Sequence, residues 1–127
     1  MGSISKVLLS GSNQGRPILV ASTGTTGTTI HTTLSSSTIV DEVWLYATNS
    51  ANTQTNLTIE YGATGTGNEI SVGIPSRSGL SIICPGTVLT GDGSTGSTIR
   101  AFASVANVIG LVGYVNRITP WVMLGLV

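Results

Sequence analysis

Charge is scarce in this sequence. Only 8% of its 127 residues are Asp, Glu, Lys or Arg, whereas about a quarter is usual in soluble domains. The five basic and five acidic residues are scattered and give a formal net charge of +0. Nucleic-acid binding draws its affinity from clustered Lys and Arg, so no nucleic-acid partner is expected. Because interspersed charge also keeps free copies of a protein apart, its scarcity predicts a surface that other protein covers.

Cysteine, histidine and long apolar runs are also nearly absent. The single cysteine, Cys84, excludes an intrachain disulfide, and its apolar neighbours predict a buried, inert thiol. One cysteine and one histidine, His31, cannot supply the three or four ligands of a zinc site. No apolar run approaches the roughly 20 residues that span a bilayer, and the N-terminal run is too short for a signal peptide. We therefore expect no metal, no cofactor and no membrane partner.

Short runs of alternating apolar and polar residues dominate the rest of the chain. Examples are Thr28–Leu34, Leu57–Tyr61 and Ile70–Ile74. Gly, Ser, Asn and Asp separate such runs, and proline falls at their ends. β-branched residues are abundant, and no convincing helical pattern is present. The sequence predicts an all-β, single-domain antiparallel β-sandwich that is jelly-roll-like.

Three segments are expected: an N-terminal segment (1–15), the β-sandwich domain (16–118) and an apolar C-terminal tail (119–127). Two runs of the sandwich, Val43–Ala47 and Val108–Val115, are apolar on both faces of a strand. Since a two-sheet sandwich buries one face of each sheet, these runs and the tail, as an interface strand or arm, should contact other protein. The predicted oligomer or capsid contacts are Val43, Leu45, Val108, Leu111, Val115, Trp121, Val122, Met123, Leu124 and Leu126. Three aromatic residues are expected to pack inside the subunit, namely Trp44, Tyr46 and Phe102.

The arginines are candidates for polar contacts with a partner. In a chain with so few charges, a lone arginine is favoured at an interface because its guanidinium makes paired hydrogen bonds. The alternative is that each is an ordinary solvated side chain. The residues concerned are Arg16, Arg77, Arg100 and Arg117.

The remaining polar residues form no catalytic constellation. His31 falls on the polar face of a predicted strand and is expected to be solvated. Asp41 and Glu42 are adjacent, so they point to opposite sides, and we interpret them as a polar turn. Glu60 and Glu69 are expected to point outward from neighbouring strands. The chain is therefore not expected to be an enzyme or to take a small-molecule substrate.

Glycine-rich stretches resemble phosphate-binding loops only superficially. Gly62–Gly67 and Gly91–Gly96 neither continue as GK[ST] nor precede a helix, which phosphate binding of that kind requires. The tract Ser22–Thr29 (STGTTGTT) is interpreted as a loop that enters the next strand.

Five stretches together resemble small structural proteins of tailed bacteriophages. They are DEVWLYATN (Asp41–Asn49), LTIEY (Leu57–Tyr61), LSIICPGTVL (Leu80–Leu89), IRAFA (Ile99–Ala103) and GYVNRI (Gly113–Ile118). The resemblance implies a β-sandwich or jelly-roll subunit of the virion, and above all a head decoration (cement) protein. Such proteins commonly form trimers that bridge neighbouring capsomers. It therefore implies a homotrimer that binds the major capsid protein on the capsid exterior, after synthesis in the host cytoplasm, and it brings no catalytic motif.

Two alternatives belong to other parts of a virion. One is a structural component of the tail, fibre or neck, which composition does not exclude. The other is a carbohydrate-binding module, which needs exposed aromatic residues along a groove. Only 5% of the chain is aromatic, and Trp44 lies in an apolar run, so this alternative is less favoured; binding to glycans would discriminate it.

Overall fold

β-strands make up nearly all the regular structure of residues 2–120, the range that the computed structural model describes. The strands are β1 (Ser3–Leu8), β2 (Ile18–Leu19), β3 (Thr28–Thr32), β4 (Val40–Asn49), β5 (Thr55–Gly62), β6 (Glu69–Ile74), β7 (Ser81–Leu89), β8 (Thr98–Ala103) and β9 (Ile109–Thr119). A turn of 3-10 helix, Thr66–Asn68, joins β5 to β6. The all-β prediction is confirmed.

Two antiparallel sheets form a sandwich with jelly-roll topology. The front sheet has the order β1-β9-β4-β7, with β2 also paired to β9, and the back sheet has the order β3-β8-β5-β6. Strands β1, β3, β4 and β5 pair in turn with β9, β8, β7 and β6, as in a long ribbon folded on itself. Eight strands in two such sheets make a jelly roll, so the predicted architecture is confirmed.

The N-terminal segment contributes to the front sheet. Strand β1 pairs with β9 from Ser3↔Thr119 to Leu8↔Tyr114. The two-residue strand β2 pairs with β9 further along the same edge, through Ile18↔Leu111. The structure thus places part of the segment 1–15 within the sandwich, which was expected to begin only at residue 16.

Alternating burial builds the core between the sheets. In β4, Val43, Leu45 and Ala47 are fully buried, and the residues between them face outward. Residues from both sheets complete the core: Leu9, Ile18, Val20, Ile30, Leu57, Ile59, Ile74, Cys84, Ile99, Ala101, Ala103, Ile109, Leu111 and Val115. The predicted burial of Cys84 is confirmed, and burial raises the pKa of its thiol, with a hydrogen bond to Thr87 acting in the opposite direction.

This burial corrects the predicted interface. Four predicted contact residues are 0% exposed and stabilise the subunit itself, namely Val43, Leu45, Leu111 and Val115. Val108 is half-buried against the same core. The aromatic residues expected inside the subunit lie partly exposed on the outer sides of their strands, so that prediction is wrong for Trp44, Tyr46 and Phe102. The predicted contacts Trp121, Val122, Met123, Leu124 and Leu126 lie outside the described residues.

Candidate functional site

The outer surface of the front sheet is largely apolar, and we call it the front face. Apolar and aromatic side chains occupy most of its positions: Ile4, Leu8, Leu19, Val40, Trp44, Tyr46, Ile82, Pro85, Val88, Val112, Tyr114 and Ile118. The large aliphatic ones on β1, β2 and β7 are between 54% and 68% exposed. The strand registers place two charged residues on this face, Lys6 and Glu42. A continuous apolar surface of this kind usually marks an interaction site.

A hydrogen-bonded cluster holds the aromatic residues of the front face in place. The Trp44 indole Nε1–H donates to Glu42 Oε1 at 2.8 Å, and Asn116 Nδ2 donates to the same oxygen at 3.0 Å. The Trp44 and Tyr114 rings stack with centroids 6.4 Å apart. Lys6 Nζ lies 4.6 Å from the Tyr114 ring centroid, in cation–π geometry. The hydrogen bonds from Asn116 and Trp44 lower the pKa of the Glu42 carboxyl, so it is ionised at neutral pH.

Gly86 makes room for the Trp44 indole where β7 bulges. The pairing of β4 with β7 shifts register between Val43 and Trp44. Gly86 has φ +85, and a Cβ added there would lie 3.0 Å from Trp44 Cζ2. A glycine in a strand often marks such a close approach. The orientation of Trp44 across β7 thus depends on a residue without a side chain.

The outer surface of the back sheet differs in composition, since Thr, Ser and Asn dominate it. Asn56, Thr58 and Ser71 line a shallow depression there. Phe102 and Arg100 also lie on this side of β8, where both are half-buried. The sandwich therefore has one apolar and one polar outer face.

Glu60 lies on the polar face but is 0% exposed, because a loop covers it. Thr25 Oγ1 donates a hydrogen bond to Glu60 Oε2, and the Gly27 backbone N–H donates to Oε1 at 2.7 Å. The covering loop is part of the glycine- and threonine-rich tract Ser22–Thr29, which was predicted to be a loop. The prediction that Glu60 points outward is correct for its direction and wrong for its exposure. Glu69, its cross-strand neighbour on β6, is half-buried.

A buried ionic network links the two sheets. Asp41 on β4 accepts hydrogen bonds from Arg117 on β9, from Nε to Oδ1 at 2.8 Å and from Nη2 to Oδ2 at 3.0 Å. His31 on β3 of the back sheet approaches Asp41 Oδ2 through Nε2 at 2.7 Å. The Ser10 backbone N–H donates to His31 Nδ1 at 3.0 Å. Since Nδ1 is an acceptor, Nε2 carries the proton and donates to Asp41.

This network corrects three predictions. His31 was expected to be solvated but is 0% exposed, because β3 shifts register between Thr29 and His31 and so turns Ile30 and His31 both inward. Asp41 and Glu42 were expected to form a turn but are successive residues of β4, on its inner and outer sides. Arg117 was a candidate interface residue, and its guanidinium instead holds Asp41 with 21% of the side chain exposed.

Burial by itself raises the pKa of the Asp41 carboxyl, but hydrogen bonds from Arg117 and His31, together with the charge of Arg117, outweigh it and lower the pKa below 3.8. The unfolded chain therefore binds this proton more readily than the folded one, and the stabilisation is lost as pH falls below about 4.

We predict that the stability advantage of the wild type over Asp41→Asn is largest near neutral pH and shrinks below pH 3.8. Urea unfolding of both proteins between pH 7 and pH 3 measures this difference. A difference in stability that stays constant across that pH range would contradict the lowered pKa of the Asp41 carboxyl.

The other predicted polar contacts lie apart from the front face cluster. Arg16 and Arg77 are exposed in loops, and the Arg77 backbone N–H donates to the Asn49 carbonyl oxygen at 2.9 Å. Arg100 is on the back sheet, in register with Glu60. The structure therefore does not bring the four arginines together into one site.

Comparison with protein-family models, curated proteins and solved structures finds no significant match. Across residues 2–120 no helix is long and apolar enough to cross a membrane. In the same range, no three His, Cys, Asp or Glu side chains converge as metal ligands.

Proposed function

We propose that this chain is a non-enzymatic structural protein of a bacteriophage virion. It decorates the capsid exterior and stabilises the shell by bridging neighbouring capsomers. The observation that carries the proposal is the front face, a sheet surface with many exposed apolar side chains and two charged residues. Such a surface is stable in water when other protein covers it. The proposed partners are further copies of the chain and the major capsid protein.

The jelly roll supports this setting, since viral capsid domains are among the proteins built on it. A fold alone does not define a function. The virion setting therefore depends on the resemblance of the five sequence stretches to phage structural proteins, and the front face supplies the physical reason for assembly.

Decoration stabilises a shell through binding alone. A subunit that bridges two capsomers binds the assembled shell and not the separated capsomers. Its binding free energy therefore adds to the stability of the assembled state. No proton transfer or covalent step is needed, which agrees with a buried His31 that is fully engaged in hydrogen bonds.

The proposal is tested with particles from the genome that encodes this chain, made with and without its coding region. Particles that lack the chain should release their DNA at a lower temperature, and added purified chain should restore the wild-type temperature. The Leu8→Glu variant, altered on the front face, should restore it less well than the Glu69→Lys variant, altered on the back sheet. Absence of the chain from purified particles would overturn the proposal, and its presence on the tail alone would favour the tail or neck alternative.

One observation favours the carbohydrate-binding alternative. Trp44 and Tyr114 are partly exposed on the front face beside Glu42 and Asn116, whereas the sequence placed Trp44 inside the subunit. Aromatic rings with neighbouring polar groups can form a platform for a sugar. Glycan binding by the purified chain that is lost in Trp44→Ala would establish this function instead.

A further inference from the structure

Charge on the front face is placed symmetrically about strand β9. Lys6 on β1 and Glu42 on β4 are both in register with Asn116 on β9. Each therefore lies one strand spacing, about 4.8 Å, to either side of β9. One is basic and the other acidic, so a rotation that exchanges their positions brings opposite charges together.

Apolar side chains follow the same arrangement. Leu8 on β1 and Trp44 on β4 are both in register with Tyr114 on β9. In another row, Ile4 and Val40 lie on either side of β9 in the same way. A rotation of 180° about an axis along β9 exchanges the β1 and β4 positions, so apolar residues also meet apolar residues.

We propose that the front face binds the front face of a second copy of this chain, about a two-fold axis parallel to β9. Lys6 of each copy then meets Glu42 of the other, and Leu8 meets Trp44. Both intramolecular hydrogen bonds to Glu42 reach Oε1, so Oε2 is left to accept a hydrogen bond from Nζ of Lys6 of the second copy. Two sheets that meet in this way keep their strands roughly aligned, which is a common arrangement between sheets.

A two-fold contact differs from the trimer that the family resemblance implies. A two-fold interface uses the same patch on both subunits, whereas a three-fold ring joins two different patches. The front face matches itself under a two-fold rotation, in charge and in apolar character. The structure therefore favours pairs of subunits as the unit of assembly.

The area that overlaps about this axis suits a weak, reversible dimer. The overlapping strands, β1, β9 and β4, are about 14 Å wide together, and the outward residues of β9 from Gly110 to Ile118 span about 27 Å. Two such faces bury roughly 800 Å², the size of a weak, transient protein interface. We therefore expect an association that depends on protein concentration.

Sedimentation of the free chain tests this pairing. The wild type should shift from 12.9 kDa to twice that mass as its concentration rises. K6E places an acidic residue against Glu42 of the second copy, and E42K places a basic residue against Lys6. Either variant alone should raise the dissociation constant by at least about tenfold.

Recombining the two variants gives the sharpest result. In a mixture of K6E with E42K, each copy again meets an opposite charge, so mixed dimers should form with nearly wild-type affinity. The double variant K6E/E42K should also regain self-association. Glu69→Lys, on the back sheet, is the matched control and should associate like the wild type.

Leu8→Glu keeps the proposal testable if E42K fails to fold, because E42K removes the acceptor for Trp44. Leu8 is 55% exposed, so the variant should fold and remain monomeric, while Val105→Glu in the loop after β8 should still dimerise.

A wild type that stays at 12.9 kDa would overturn the pairing and assign the face to residues 121–127 or to another protein. A mass of three chains, or single variants that are not rescued by mixing, would overturn it too. The inference rests on the proposed structural role, but the free chain is measured, so its failure leaves the particle experiment unaffected.

Discussion

Gly113→Ala is expected to lower the free energy of unfolding by about 3 kcal/mol. Gly113 lies on β9 opposite Leu45 on β4, at the centre of the front sheet. A Cβ at Gly113 would collide with the Trp44 carbonyl oxygen and lie 3.1 Å from Leu45 Cα. These are backbone atoms in a paired strand, so they cannot move aside as a flexible side chain can. Chemical denaturation monitored by Trp fluorescence measures the loss.

The control for this prediction is Gly67→Ala, where no atom lies within 4 Å of the added Cβ. That variant should stay within about 0.5 kcal/mol of the wild type. Equal stabilities of the two variants would contradict the close approach of β9 to β4 at Gly113.

Asp41→Ala is expected to cost about 3–5 kcal/mol, because it breaks a buried ionic network from one side. The change leaves the His31 Nε2–H without its acceptor inside the sandwich and removes both hydrogen bonds of Arg117. A domain of this size has about 5–15 kcal/mol of stability, so the variant should lose a large part of its free energy of unfolding. Thermal and urea unfolding at neutral pH measure the effect.

Asp92→Ala provides a matched control at an exposed carboxylate. Asp92 accepts hydrogen bonds from the backbone N–H groups of Ser94 and Thr95 in a turn, and its removal should lower the stability much less than Asp41→Ala does, because its carboxylate is exposed to solvent. In a double-mutant cycle, Asp41→Ala and Arg117→Ala should be strongly non-additive, since they remove the same interaction. Additive effects would show that Asp41 and Arg117 act independently.

Alternation of apolar and polar residues along the chain predicted the sandwich well. In some strands, however, it did not show which of the two rows of side chains faces the core. Period-two patterns identify which residues share a face of a strand. In β4 both rows are apolar, so the pattern could not show which row faces the core. Large aromatic residues suggested that Trp44 and Tyr46 are inside, and the structure reverses this because Val43, Leu45 and Ala47 fill the space between the sheets.

Features that do not follow from alternation along a single strand account for the other differences between the predictions and the structure. A register shift in β3 moves His31 from the polar side to the interior, and period-two reasoning cannot foresee such a shift. The burial of Glu60 depends on a loop more than thirty residues earlier in the chain. The front face cluster could be found only once the registers of β1, β9 and β4 were known, because Lys6, Glu42 and Tyr114 are distant in sequence.

The proposed function requires that other protein covers the front face when the chain is assembled into a virion. A reconstruction of particles from the genome that encodes this chain, at a resolution that shows its strands, measures whether it does. We predict density for the jelly roll on the capsid exterior, across neighbouring capsomers, with Trp44, Leu8 and Val88 buried against other protein. A front face open to solvent in the particle, or density for the chain confined to the tail, would contradict the proposed function.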